Sequence, residues 1–312
     1  MTLHPDVIGI DIAKAHLDVH DRAAGTTRRI ANSAAAAAEL ADSLADRDCL
    51  VVFEATGRYD ALLRRALGEA DVAHARVNPE QARHFARASG LKAKTDAIDA
   101  RMLAELGRRM ALRREEPADP ARERLGLLTR RRDQLVAMRK QERVRERGED
   151  DALLAADFAA HISWLDTAIA RIEQEIANLV RSNQNLREAE ALLRSAPGIG
   201  PVTAAVLIGQ LPELGRIGAS AIAALAGLAP YNNDSGTWRG KRSIRAGRSR
   251  IRTALYMAAV SLGRTNSPIA SFYQRLRTAG KPPKVALIAT ARKLLVTLNA
   301  IVRNQKPYAR RA

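Results

Sequence analysis

Along the first hundred residues, apolar positions come in short runs separated by polar turns. VIGIDIA (7–13) and HLDVHD (16–21) predict two strands joined by a tight connection, and RRIAN (28–32) predicts a third. The alanine-rich run from Ser33 to about Ala45 is helical by propensity, with Ser33 as its N-cap. CLVVFEA (49–55) is apolar up to Glu54, the pattern of a central strand buried on both faces. Residues 59–70 predict a helix, VAHARV (72–77) a strand, and Pro79 the first turn of another helix. A last helix is expected from about Thr95, its N-cap, to Met110.

The pattern then changes. From about Ala121 to Arg147 the chain is charged and helical, and GEDD (148–151) interrupts it. Beyond that break Phe158, Ile162, Leu165, Ile169, Ile172, Ile176 and Leu179 recur at alternating spacings of four and three, an unbroken heptad seam. Such a seam serves either a hairpin within one chain or a coiled coil between chains. LLRSAPGIGPVTAAVLIGQL (192–211) sets two glycine turns around Ile199 before a helix from Thr203. Further helices are expected at 220–228, 246–263 and 284–304, with the polar loop PYNNDSGTWRGKRS (230–243) among them.

The order strand, strand, strand, helix, strand, helix, strand, helix is that of the ribonuclease H-like fold, a mixed sheet flanked by helices. The expected architecture is therefore an α/β domain over 1–115, coiled-coil helices over 116–190 and a mainly α domain over 191–312.

Charge sharpens this division. Of the 51 Lys and Arg, 20 fall in 191–312 against only two of the 34 acids, Glu213 and Asp234, which leaves 31 bases and 32 acids in the first 190 residues. A strongly basic module on a near-neutral remainder points to a polyanion, because Lys and Arg release phosphate counterions on binding nucleic acid. A single cysteine, Cys49, excludes an intramolecular disulfide, argues against a cysteine-based metal site, and suits a reducing cytoplasm. Asp6 and Asp11 stand where a signal peptide needs an apolar run, and no stretch is expected to reach the ~20 residues that span a bilayer. The six histidines show no ligand spacing and read as structural or surface residues.

Asp11 ends the first predicted strand and Glu54 the fourth, and in this topology those strands are neighbours. Asp96 and Asp99 lie three apart in TDAID, so a helix presents both carboxylates on one face. Taken singly, each has an ordinary explanation as a strand end, an ion-pair partner or a helix N-terminal acid. Together they form a candidate phosphoryl-transfer site, because clustered carboxylates need cations and hard oxygen ligands favour Mg2+ or Mn2+. A pair of such ions activates a nucleophile and stabilises a leaving oxygen. In the basic module Arg239, Lys241, Arg242, Arg245, Arg248, Arg250 and Arg252 form a dense cationic stretch suited to a phosphate backbone. Trp238 and Tyr231 flank it and can stack on bases. The turn Pro197–Pro201 is similar to a helix-hairpin-helix element, whose backbone N–H groups hold a phosphate, although a plain helix start explains it equally well.

The segments GIDIAK (9–14), FEATGRYD (53–60), VNPEQARHFARASGLKAKTDAIDARMLAE (77–105), APGIGPVTA (196–204), GLAPYNNDSG (227–236) and RGKRSIRAGRSRIRTALY (239–256) resemble those of the DEDD transposases of bacterial insertion sequences, a family that also includes the Piv-type DNA invertases. The resemblance runs in order from residue 7 to about 305. It implies a RuvC-like domain in which Asp11, Glu54, Asp96 and Asp99 are metal ligands, then a coiled-coil insertion, then a transposase domain. It also implies that Ser235, in NDSG, is a nucleophile acting together with the metal site; without it, Asp-Ser-Gly reads as a turn. The implied activity is cutting, exchange and rejoining of DNA strands. The implied partners are donor and target double-stranded DNA, a structured guide RNA and a homo-oligomer, dimer or tetramer, at the bacterial nucleoid in the cytoplasm. A RuvC-like nuclease without a covalent step, and a non-catalytic nucleic-acid-binding protein, are the competing readings.

Overall fold

In a computed structural model of the chain, the structure describes residues 6–55, 57, 59–89, 96–115, 119–231, 243–263, 265 and 267–309, with 96–98 described in backbone alone. It divides into two compact units, Met1–Asp119 and Pro120–Ala312.

The first unit is built on five strands: β1 (Val7–Ile12), β2 (His16–Asp21), β3 (Thr26–Ala31), β4 (Leu50–Glu54) and β5 (His74–Val77). Its helices are α1 (Ala34–Asp42), α2 (Ala61–Glu69), α3 (Pro79–Ala88) and α4 (Asp96–Arg109). The sheet order is β3-β2-β1-β4-β5, as in a ribonuclease H-like fold. The β1-β2-β3 meander is antiparallel, whereas β4 and β5 run parallel to β1. Local signals start the helices. Ser33 caps α1 by accepting from the Ala36 amide, and Asn78 caps α3 from the Glu80 amide ahead of Pro79 at the first turn. Thr95, the expected cap of α4, lies outside the described residues.

Alternation along β1 sorts its side chains onto two faces. Ile8, Ile10 and Ile12 join Val51, Phe53 and the buried faces of α1 and α2 in one core. Val7 joins Leu50, Val52 and the α4 residues Met102, Leu103 and Leu106 in the other. At the start of β1 the guanidinium of Arg47 forks between Asp6 and Asp21, at 2.5 to 3.0 Å.

The second unit is helical: α5 (Pro120–Glu146), α6 (Ala152–Ser182), α7 (Gln184–Arg194), α8 (Pro201–Gln210), α9 (Ala219–Leu225), α10 (Ser249–Leu262), α11 (Pro268–Thr278) and α12 (Pro283–Asn304). A two-residue ladder pairs β6 (Pro230–Tyr231) with β7 (Ser243–Ile244). The GEDD break is the turn into α6, where Asp151 caps the helix by accepting from the Leu153 and Leu154 amides. α5 and α6 pack on each other as a hairpin within one chain, with Leu165 and Ile169 of the heptad seam buried against Leu135. Contrary to the sequence expectation, one helix reaches membrane-spanning length: α12 is apolar enough over its 22 residues to cross a bilayer. Its Leu294, Leu295 and Leu298 are fully buried in the core of this unit, which accounts for that composition. Helices α7 and α11 were not expected.

The Arg47 fork sets an acid limit on the first unit. The Asp21 carboxyl is held down to about 2, from an ordinary 3.8, chiefly by the hydrogen bond from Arg47. Its folded value lies below its unfolded one, so the stability it adds is complete above pH ~4 and is lost as pH falls toward 2. Asp21→Asn is expected to flatten that part of the acid limb in denaturant midpoints measured across this range; an unchanged slope would show that the pair adds nothing.

Candidate active site

β1 and β4 run parallel, and their register matches Gly9 to Val52 and Ile10 to Phe53. Continued by one residue, it sets Asp11 beside Glu54. Both have the parity of Val7, Leu50 and Val52, so both stand on the face covered by α4. The contact that seats α4 is at Gly9: a Cβ there would lie 2.0 Å from the Ala100 carbonyl oxygen and 2.5 Å from the Ala104 amide nitrogen. Only a residue with no side chain lets the helix backbone rest on the strand. Asp99 precedes Ala100 at that crossing, so the contact that fixes Ala100 also fixes Asp99 near the ends of the two strands.

The charges register this convergence. The Glu54 carboxyl is pushed up by burial, then by the negative charges of Asp11 and Asp99, while Arg83 of α3 pulls it down. Three of the four acids thus share one electrostatic neighbourhood. Asp96 is the first residue of α4, and its side chain lies outside the described residues. Among the described residues, no three His, Cys, Asp or Glu side chains are close enough to hold an ion as they stand. The oxygen-only set is suited to a hard divalent cation.

Several polar residues near this face were not singled out from sequence. Asp18 lies directly opposite Asp11 in the β1-β2 ladder, hence on the same face, and is buried. Arg29 of β3 grips it with two hydrogen bonds of 2.9 Å, and His16 Nε2 lies 3.5 Å away. His20, opposite Gly9, bonds the Thr27 hydroxyl at 2.8 Å, and burial and then Arg101 lower its pKa, favouring the neutral ring. The parity of HLDVHD was the available signal, because it places Asp18 and His20 on the Asp11 face once the register is known.

The second unit carries the predicted basic stretch. Ser235, Trp238, Arg239, Lys241 and Arg242 lie outside the described residues, but the base of their loop is defined. Beyond the β6-β7 ladder, Gly227 and Gly247 meet backbone to backbone. A Cβ on Gly247 would lie 2.2 Å from the Gly227 nitrogen, and both have positive φ, of 70° and 71°. Arg248 forks onto Glu213 with two bonds of 2.7 Å, and Arg250 bonds Asp133 at 3.1 Å and the Arg130 carbonyl at 3.0 Å. Arg252 donates to the Ala246 carbonyl at 2.8 Å. These three bind the loop base to its surroundings, a structural task that the charge pattern alone did not reveal. Arg245 is exposed.

Comparison with known proteins finds two family matches along the chain. Residues 8–148 match the DEDD transposase domain of IS110 type, and residues 190–274 match the transposase family IS116/IS110/IS902. The pilin gene-inverting protein of Moraxella bovis is 30% identical over 273 residues, which cover 84% of this chain and 82% of that protein. The counterpart in Moraxella lacunata has the same identity and coverage. An uncharacterized 42-kDa protein of insertion element IS900 from Mycobacterium paratuberculosis is 35% identical over 161 residues, 50% of this chain and 39% of that protein.

If the Gly9 contact seats the acids, Gly9→Ala is expected to cost more than the ~1–3 kcal/mol of ordinary core overpacking, since the obstacle is backbone. It is also expected to lower the Glu54 pKa as Asp99 recedes, as read by carbon-detected NMR titration. An unchanged Glu54 titration in a folded Gly9→Ala protein would detach the helix contact from the site.

Proposed function

The chain belongs to the IS110/IS116 family of transposases, DNA-rearranging enzymes, and on that premise we propose that it cuts, exchanges and rejoins DNA strands through a carboxylate metal site and a serine nucleophile. The observation that carries this reading is the shared charge of Glu54, Asp11 and Asp99 at the ends of two parallel strands. Asp96, one helical turn before Asp99, completes the set of four. These residues would hold Mg2+ or Mn2+, which when bound would supply positive charge to a reacting phosphodiester. The protein's own part is to hold the carboxylates aimed at one place. Asp18 adds a fifth negative charge next to Asp11, and the Arg29 fork offsets it.

Ser235 attacks a backbone phosphorus. The Oγ–P bond forms as a P–O bond to one deoxyribose breaks, leaving the chain joined to one DNA end and a free hydroxyl on the other. The reverse step rejoins strands without loss of the phosphodiester energy. The anchored loop base supports this reading, because a nucleophile needs a fixed platform. Arg239, Lys241, Arg242 and Arg245 contact phosphates of the donor and target duplexes. The excess of bases in 191–312 serves a structured guide RNA equally well, and we include one among the partners, at the bacterial nucleoid. Leu153, Leu154 and Trp164, exposed on α6, support self-association into a dimer or tetramer.

Asp11→Asn is expected to abolish strand cleavage in Mg2+ while leaving duplex binding within about twofold, a loss confined to chemistry. Undiminished cleavage would remove the metal assignment. Ser235→Ala is expected to eliminate the phenol-extractable protein–DNA adduct and strand transfer. Cleavage that persists without any adduct in either protein would leave a metal-dependent nuclease.

A further inference from the structure

The second unit holds an open cavity of about 420 Å3 that the proposed chemistry does not use, lined by α5, α6, α7 and α8. That volume falls in the ~300–1,000 Å3 range of sites for compact organic ligands. Its inner wall is aliphatic: Ile176 and Val180 from α6, with Val202 and Ala205 from α8. Its rim carries four arginines, Arg132, Arg181, Arg187 and Arg194, against two glutamates, Glu173 and Glu190.

The arginines differ in how they are engaged. Arg132 is held by Glu173 at 2.6 Å, and Arg194 is paired with Glu190 at 3.5 Å. Arg181 and Arg187 donate only to neutral oxygens, the Asn178 amide and the Arg181 carbonyl, each at 3.4 Å. Among the described residues neither is in an ion pair, and both are exposed. Two uncommitted guanidinium groups at the mouth of an apolar recess match a ligand with an anionic end and a flat, weakly polar body. A nucleotide has that form: the guanidinium forks onto phosphate or stacks on a base, and the aliphatic wall receives the ring.

We propose that this cavity receives a single unpaired nucleotide of the nucleic acid the protein handles, with its base against Val180 and Val202 and its phosphates on Arg181 and Arg187. This rests on the reading of the chain as a nucleic-acid enzyme. A base stacked and paired within a duplex cannot turn its face into a recess walled by four helices, so the recess selects a strand end, bulge or loop. The recess is also connected to the base of the serine loop. Thr129 on its wall accepts a hydrogen bond from the Gln210 side chain at 2.9 Å, and the Gln210 carbonyl accepts one from Arg248 at 3.0 Å. A strand held in the cavity is therefore held by the same compact unit that carries the base of the loop.

The test uses the full chain with EDTA present, so that binding is read without any metal-dependent step. Short fluorescent single strands of DNA and of RNA, and a blunt DNA duplex, are titrated by anisotropy at several salt concentrations. Ala177 is exposed on α6 and lines the cavity, so Ala177→Phe fills the recess without disturbing a buried position. It is expected to weaken single-strand binding about tenfold, the scale of one lost base contact, and to leave duplex binding unchanged. Loss for RNA alone, or for DNA alone, supports the cavity and names the strand it serves. Arg181→Ala with Arg187→Ala is expected to weaken the same strands and to reduce the slope of log affinity against log salt by ~1.4, about 0.7 per phosphate contact. Equal loss for strand and duplex, or no loss for either strand, in variants with wild-type circular dichroism overturns the proposal. Should Ala177→Phe fail to fold, the double arginine variant decides it alone. Asp11→Asn binds normally in this assay whatever becomes of the cavity, so the metal-site reading stands or falls separately.

Discussion

The candidate site depends on a contact in which no polar atom takes part: the backbone of α4 lies against β1 at Gly9. With a Cβ only 2.0 Å from the Ala100 carbonyl, no side chain is tolerated there without moving the helix or the strand. Steric exclusion of this kind is stiff, because packed cores transmit small displacements and do not absorb them. It converts a loosely related set of acids, on two strands and a helix, into neighbours. Helix α4 begins at Asp96, and the helix that is pressed onto the sheet carries Asp99 toward the ends of β1 and β4.

That crowding has an electrostatic consequence. Glu54 resists ionisation through burial and through Asp11 and Asp99, and the fold offsets this with Arg83. A bound cation would stabilise the ionised form further, so cation affinity and local folding are coupled. The second unit applies the same device at another scale. Gly227 and Gly247 clamp the two ends of the serine loop, and Arg248 and Arg250 bind that base to Glu213 and Asp133.

Much of the first unit was legible because its signals are local. Alternating and continuous apolar runs located β1, β2 and β4, Ser33 and Pro79 marked helix starts, and strand-end acids pointed to the ends of two neighbouring strands. The Gly9 contact was not legible, since a lone glycine in GIDIAK does not say which helix will cover it. Asp18 was missed for a related reason: its face is set by pairing with Asp11, which is a matter of register. The heptad seam predicted α6 but left its partner open, and α5 of the same chain buries Leu165 and Ile169. In the basic stretch, composition revealed charge but not its use. Arg248 and Arg250 pair with acids 35 and 117 residues away, a fact only the tertiary fold supplies. Helices α7 and α11 went unseen because their buried residues are few, Leu186 and Leu193 in one and Ile269 and Ala270 in the other.

The central claim is that the Gly9 contact assembles these acids into one site for a hard cation. Anomalous diffraction from crystals of the wild-type protein grown in Mn2+ tests it most directly. The account predicts a manganese peak about 2.1 Å from carboxylate oxygens of Asp11, Glu54 and Asp99, a distance typical of small divalent ions. Manganese bound elsewhere, with these three carboxylates unliganded at saturating metal, would contradict it.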